Sequence, residues 1–506
     1  MKSIQSLSLA DYLFGNKARF GYLLIGAILL LFTFLGAKDI WTQEHRWADI
    51  VFGMFYRNDF LHPYLGETKY YDKPLLSYWL IALIAQLTGA LTTWTLRLPS
   101  ALAGLLAIWS IYRLGAQTKD KELGLLAGWL LLTTFYFVFW ARVSSADMLN
   151  LAGSLFAVAW YVDHREQNSF FSYAIFFIIL ALTSLCKGLG GAIIPLVAVF
   201  IDLILRHTLR THLRLSLFVG IFPALIIYFI PFLASSYWSG EGYSQNGLYL
   251  VYRENILRYF QPFDHQGHIY TYFVYLPIYL IPWVIFFIPA LFSMKRRWLS
   301  MSVSSQWLAL TLFMLFLFFT LSGSRRSYYV LPIIPFAILF TADWILSNTA
   351  KLKQWSAWCI IFSFIFLYSV MIVLPTWYYS KFGAAHFTRT LITEASKMKP
   401  WNQWQIVMFD AESKLNFYLQ SPHIKQFDIH GNRDAQSILT LQKSWPILKN
   451  KSKDVIFISR KRYILFLQRF FSEYRVITIP ALSLPFISLQ DFDAPIAFIP
   501  IQNSHE

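Results

Sequence analysis

DIWTQEHRWADIVFGMFYRNDFLHPYLGETKYYDKPLLSYW, residues 39–79, is a run of charged and aromatic side chains set between two stretches with almost no charge. Residues 20–36 before it and 75–90 after it are apolar. About 20 mainly apolar residues cross a bilayer as a helix, so 39–79 reads as a loop between two spans. Outward from that pair the pattern repeats. Further candidate spans are 97–114, 123–140, 147–163, 170–186, 189–206, 215–236, 269–291, 306–322, 328–346 and 357–376. The whole chain agrees with them: of 506 residues, 57% are hydrophobic and 14% charged, against about 25% charged in a soluble domain. The 47 Phe, 29 Tyr and 19 Trp suit lipid-facing and interfacial positions.

The net charge of +16 lies in short clusters between apolar runs. That distribution fits positive-inside loops and a cationic site for a phosphorylated ligand better than nucleic acid. Cys186 and Cys359 both sit in or beside apolar segments and imply no disulfide framework and no thiolate metal site. Lys17 and Arg19 place the N-terminus inside, as do the stretch with Arg206, Arg210 and Arg214, the cluster Lys295 to Arg297, and Lys351 with Lys353. The polar loops 37–74 and 237–268 then fall outside, together with the C-terminal region. Twelve spans that start inside would also end inside. An odd total, eleven or thirteen, is consistent, and one element between 75 and 190 must be a half-span, a re-entrant piece or a missed crossing.

From about 380 the character changes. QIVMFD (405–410), DVIFIS (454–459) and IAFIPI (496–501) read as short buried strands. NRDAQSILTLQKSW (432–445) and KRYILFLQRFFSEY (461–474) read as amphipathic helices. The expected fold is an α-helical polytopic membrane domain over 1–379, with about 11–13 transmembrane helices, followed by a small α/β soluble domain over 380–506.

The first outer loop packs Glu44, His45, Arg46, Asp49, Asp59, Lys69, Asp72 and Lys73 beside the bilayer. Residues 44–57 fit an interfacial helix with Ile50, Val51, Met54 and Phe55 toward lipid or protein. Dense acid and base groups there suit group transfer. A carboxylate takes the acceptor's proton as it attacks a sugar C1, and cations hold a departing phosphate. An ordinary solvated loop is the bland alternative.

Several motifs in order carry a resemblance: QEHRWADI (43–50), YYDKPLLSYW (70–79), RLPSALAG (97–104), ARVSSADMLNL (141–151), KGLGGAIIP (187–195), the run 252–283, and SGSRRSYYVLPIIPF (322–336). Together they resemble the aminoarabinose-to-lipid A transferases and the protein O-mannosyltransferases, membrane glycosyltransferases of the GT-C fold. The resemblance implies inverting transfer from a polyprenyl-phosphate sugar at the outer face of a bacterial inner membrane. The acceptor would be lipid A, another glycolipid or a protein, with membrane lipids as further partners and no nucleic acid. The family's Asp-Glu pair is Gln43 and Glu44 in this chain, so Glu44 or Asp147 would serve as base, and Asp72 stands where Glu is commoner before the lysine. Lys73, Arg258, Arg325 and Arg326 would bind the donor phosphate. Tyr70, Tyr71, His265, Tyr328 and Tyr329 would contact substrate. The residues fix no cofactor; a divalent metal is the one candidate, with Asp264 beside His265. The competing class is a polytopic transporter or lipid flippase, but the chain shows no inverted or parallel repeat.

Overall fold

The computed structural model describes residues 8–41, 43–65, 68–239, 249, 251–263, 266–421, 424–427, 454–469, 471, 474–479, 482–484, 487–489 and 493–501. The chain forms two compact units, Met1–Leu35 with Ile50–Met371, and Gly36–Asp49 with Ile372–Glu506.

The first unit is helical. In chain order its main helices are α1 (Phe20–Phe32), α2 (Glu44–Arg57, begun in the second unit), α3 (Leu76–Thr88), α4 (Thr93–Thr118), α5 (Lys121–Leu132), α6 (Phe135–Ala141), α7 (Ala146–His164) and α8 (Phe170–Lys187). There follow α9 (Gly190–Leu205), α10 (Leu215–Ser239), α11 (Thr271–Tyr279), α12 (Val284–Arg297), α13 (Val303–Leu321), α14 (Ile334–Leu346) and α15 (Ala350–Val373). Among the described residues six helices are long and apolar enough to cross a membrane, and three shorter apolar helices accompany them.

Two expected spans are broken. The span read at 123–140 is α5 and α6, bent by 72°. The stop is chemical. Thr133 closes the last helical bond, its N–H and Oγ1 both donating to the Trp129 carbonyl at 3.0 and 2.6 Å, whereas the Thr134 N–H turns to the Leu131 carbonyl at 3.1 Å and its Oγ1 takes the Leu130 carbonyl at 2.8 Å in its place. The span read at 269–291 divides into α11 and α12 around Pro282, which has no N–H to offer. The two breaks meet: the Phe135 N–H donates to the Ile281 carbonyl at 3.1 Å. Polar backbone at membrane depth is tolerated where protein satisfies it in this way. The broken α5–α6 pair lies inside the 75–190 interval where the charge pattern demanded an irregular element.

Small residues and buried arginines draw the bundle together. A Cβ on Gly115 would lie 2.7 Å from the Gly124 Cα, so α4 and α5 touch backbone to backbone. Arg142 donates to the Leu30 and Thr33 carbonyls at 2.9 and 2.7 Å, and Arg97 to the Leu35 carbonyl at 3.0 Å. These guanidiniums satisfy the carbonyls that α1 leaves open at its end.

The second unit is a five-stranded mixed sheet with helix α16 (Ala384–Ser396) on one face. Its strands are β1 (Gln405–Phe409), β2 (Ile424–Phe427), β3 (Val455–Arg460), β4 (Tyr474–Thr478) and β5 (Pro495–Pro500), in the order β2-β1-β3-β5-β4. The first three are parallel, and β5 runs antiparallel to both its neighbours. Alternation sorts the core. Ile406, Met408, Ile456, Ile458, Ala497 and Ile499 pack with Phe387 and Leu391 of α16, while Val407, Phe409, Phe457, Ile496 and Phe498 pack with Tyr463 and Leu467. The helix expected over 461–474 is shorter: a 3-10 turn, one turn of α-helix at Ile464–Leu467, then β4 from Tyr474. The helix expected over 432–445 lies outside the described residues. The segment 36–49, which the sequence places with the membrane domain, joins this unit because Asp39 accepts hydrogen bonds from the Ala384 and Ala385 N–H groups and caps α16.

Candidate active site

Five separated segments of the first unit bring charge to one place. The first is the 70–74 run ahead of α3. Asp72 is exposed and Lys73 half-buried, its ammonium donating to the Asp72 carbonyl at 3.2 Å. Protein atoms crowd that ammonium and strip its water, which pulls Lys73 below the usual lysine range. Glu254 and Asp72 act against the shift, while Lys187 and Arg258 reinforce it. Those four groups are therefore the charged neighbours of Lys73.

The second segment is the start of α7. Ser145 caps the helix through the Asp147 N–H, which fixes Asp147 in the first turn. The third is the end of α8. Lys187 forms an ion pair with Asp147 Oδ1, with side-chain exposures of 19% and 11%. Asp147 Oδ2 makes no hydrogen bond among the described residues. The Lys187 ammonium also stands 5.8 and 5.2 Å from the ring centres of Tyr328 and Tyr329.

Gly188 admits the fourth segment. Its φ of +124° is open to glycine alone, and a Cβ there would lie 2.7 Å from Asn255 Oδ1. Asn255 instead accepts the Leu189 N–H at 2.8 Å. Asn255 belongs to a π-helical turn, Tyr252–Leu257, an irregularity frequent at functional sites. The turn sets Glu254 beside Arg258 as an ion pair with side-chain exposures of 12% and 14%. In the 324–329 segment Arg326 donates to the Tyr328 hydroxyl at 2.5 Å, and the charges of Arg258, Lys187 and Arg326 all reach Tyr329.

The structure thus gathers Lys73, Asp72, Asp147, Arg258, Arg326, Tyr328 and Tyr329 of the expected residues. Arg325 is occupied elsewhere: it donates to the Thr320 and Gly267 carbonyls at 3.0 and 2.7 Å and pins a loop. Tyr70 and Tyr71 are half-buried just ahead of Asp72, where the Tyr70 N–H donates to the Pro63 carbonyl at 2.8 Å. Glu44 belongs to the second unit, is fully buried, and accepts the Trp41 N–H at 2.8 Å at the start of its own helix. In α2 Ile50, Val51 and Met54 are buried and Phe55 is exposed. Asp264 and His265 lie outside the described residues. Among the described residues no three or more His, Cys, Asp or Glu side chains stand together as a metal site.

Two members were not singled out from sequence. Lys187 opens the KGLGG motif but has the look of a basic span end, and Glu254 carries only the signal of an acid four residues before an arginine. The cluster sets four cations and three carboxylates around one small volume, an arrangement suited to holding a phosphate and receiving a proton.

The family of dolichyl-phosphate-mannose-protein mannosyltransferases matches residues 72–238, a stretch that contains Asp72, Lys73, Asp147 and Lys187. An uncharacterized protein of Aquifex aeolicus is 27% identical over 378 residues, 73% of this chain and 71% of that one. The undecaprenyl phosphate-alpha-4-amino-4-deoxy-L-arabinose arabinosyl transferase of Wigglesworthia glossinidia brevipalpis is 24% identical over 340 residues, 65% of this chain and 59% of the transferase's length. The crystal structure of ArnT from Cupriavidus metallidurans bound to undecaprenyl phosphate superposes with a TM-score of 0.69 at 16% identity, covering 95% of this chain and 98% of that one. This is the GT-C fold. Within the GT-C fold of this chain, Lys73 stands directly before α3, Asp147 in the first turn of α7 and Lys187 at the last residue of α8.

Proposed function

We propose that this multi-pass membrane protein transfers a sugar from a polyprenyl-phosphate donor to an envelope acceptor, and that Lys73, Lys187 and Arg258 hold the donor phosphate. The supporting observation is the convergence of those three cations on Asp147 and Glu254. The names of the similar arabinosyl transferases and the carrier in the similar crystal structure agree with it.

The chemistry follows from the groups. The acceptor oxygen or nitrogen attacks C1 as the C1–O bond to phosphate breaks, so the configuration inverts. The electron pair stays on the phosphate oxygen, and polyprenyl phosphate leaves. The phosphate gains a negative charge along this path, so the cations bind the transition state more tightly than the donor. Asp147 Oδ2 receives the acceptor's proton. The basic clusters at 206–214 and 295–297 support a reading in which the Lys73 side of the bundle faces the periplasm and the N-terminus lies in the cytoplasm. The cationic surroundings favour a phosphorylated glycolipid such as lipid A as acceptor.

Membranes carrying the wild-type chain and radiolabelled polyprenyl-phosphate sugar should yield labelled glycolipid. Lys73→Ala and Asp147→Asn should each cut transfer about a hundredfold, the scale of one lost preorganised electrostatic group. Full transfer by both Lys73→Ala and Asp147→Asn would sink the assignment.

A further inference from the structure

A cavity of about 540 Å³ lies at the opposite end of the helices that carry the charged cluster. Asp147 is in the first turn of α7 and His164 ends it, a separation of about 25 Å at 1.5 Å per residue. Tyr161, Phe176, Phe177, Leu196, Phe200 and Leu213 line the cavity, and Leu196, Phe200 and Leu213 are exposed. Its volume is that of a small-molecule pocket.

One wall carries surplus positive charge. Asp202 is fully buried and accepts the Tyr161 hydroxyl at 3.0 Å, Arg206 Nε at 2.8 Å and Arg165 Nη1 at 3.4 Å. One carboxylate thus answers two guanidiniums, and Arg165 itself lines the cavity. His212, also in the lining, is tied to the Tyr173 hydroxyl at 2.8 Å. Arg210 and Arg214 flank it, are exposed, and have no carboxylate partner among the described residues. Glu166, exposed beside Arg165, and Asp163, which pairs with Arg113 at 2.9 Å, are the other acids nearby in the chain.

We propose that this cavity binds an anionic phospholipid, one acyl chain lying between α7, α8 and α9 and the headgroup phosphate meeting Arg165, Arg210 and Arg214. An apolar slot opening beside Arg210 and Arg214, which have no carboxylate partner among the described residues, complements a lipid with an anionic head. Basic pockets between membrane helices take such headgroups. The proposal rests on the multi-pass fold and is independent of sugar transfer.

Native mass spectrometry of the detergent-purified full chain tests it, with phosphatidylglycerol, phosphatidylcholine and polyprenyl phosphate added in turn. Phosphatidylglycerol should bind and phosphatidylcholine should not. Arg210→Ala with Arg214→Ala should weaken phosphatidylglycerol about twenty-five-fold, at about fivefold per surface arginine. Leu196→Trp, which fills the slot, should abolish binding while transfer activity persists. Equal binding of the two phospholipids overturns the proposal, as does unchanged binding in Leu196→Trp or displacement of phosphatidylglycerol by polyprenyl phosphate. If Leu196→Trp fails to fold, the exposed arginine pair decides alone.

Discussion

Lys187→Met separates two roles for the lysine at the end of α8. Either it holds the donor phosphate, or it is only the counterion of Asp147. Its ammonium is paired with Asp147 at side-chain exposures of 19% and 11%. Removing one partner of a buried pair costs about 3–5 kcal/mol, and residual solvent contact places this pair near 3 kcal/mol. The stability loss alone therefore distinguishes nothing. Phosphate affinity does. A hydrogen bond to a charged group contributes about 1.5–3 kcal/mol; at about 2 kcal/mol, Lys187→Met weakens polyprenyl phosphate binding roughly thirtyfold. Asp147→Asn alone should strengthen binding, because a like charge beside the phosphate is gone. The decisive comparison is Lys187→Met in the Asp147→Asn background, by titration calorimetry of the solubilised protein with a short-chain polyprenyl phosphate. The double variant should regain most of the lost stability yet still bind about thirtyfold more weakly than Asp147→Asn. A difference below threefold in that background would refute direct phosphate contact by Lys187.

Three further outcomes follow from other parts of the molecule. Gly188→Ala strains a φ of +124° and drives a methyl into Asn255, costing about 1–3 kcal/mol; transfer should fall at least tenfold in membranes, whereas the neighbouring Gly190→Ala, which meets nothing, should be neutral. Asp39→Ala removes the cap of α16, worth about 1 kcal/mol, and hydrogen exchange should show its first turn about fivefold less protected with α4 unchanged. Burial pushes Asp49 up to about 7 from 3.8, so the folded state binds a proton more tightly than the unfolded state and stability falls as pH rises through that window. Asp49→Asn should melt above wild type at pH 8 and match it near pH 4; a difference of equal size at both would contradict the burial.

The spans were legible because lipid imposes its own length on apolar runs: 170–186 and 306–322 sit within a residue or a few of α8 and α13. The breaks were not. Thr133 and Thr134 scarcely lower the hydropathy of 123–140, and their effect depends on hydroxyls turning back to carbonyls one turn away. Strands β1, β3 and β5 announced themselves as continuous buried runs, while YRVIT (474–478), at a sheet edge with only Ile477 fully buried, carried no such signal. Asp72, Lys73 and Asp147 could be named from motif order. Lys187 could not be joined to Asp147, since 40 residues separate them and the pairing is made by the packing of α8 on α7. Arg325, in a conspicuous basic motif, points the other way: it donates to the Thr320 and Gly267 carbonyls.

Lys73, Lys187, Arg258 and Arg326 stand against Asp72, Asp147 and Glu254, four positive groups and three negative when all are ionised, a formal sum of one positive charge. A sugar phosphodiester brings one negative charge and makes the whole neutral. In the proposed transfer the diester becomes a monoester and gains a second negative charge on its phosphate oxygens, while the acceptor's proton, passing to Asp147, would remove one. The total never changes from bound donor to bound product, in surroundings where a stray charge is expensive. Acid and cations are thus one isoelectric device, and altering either alone unbalances the other.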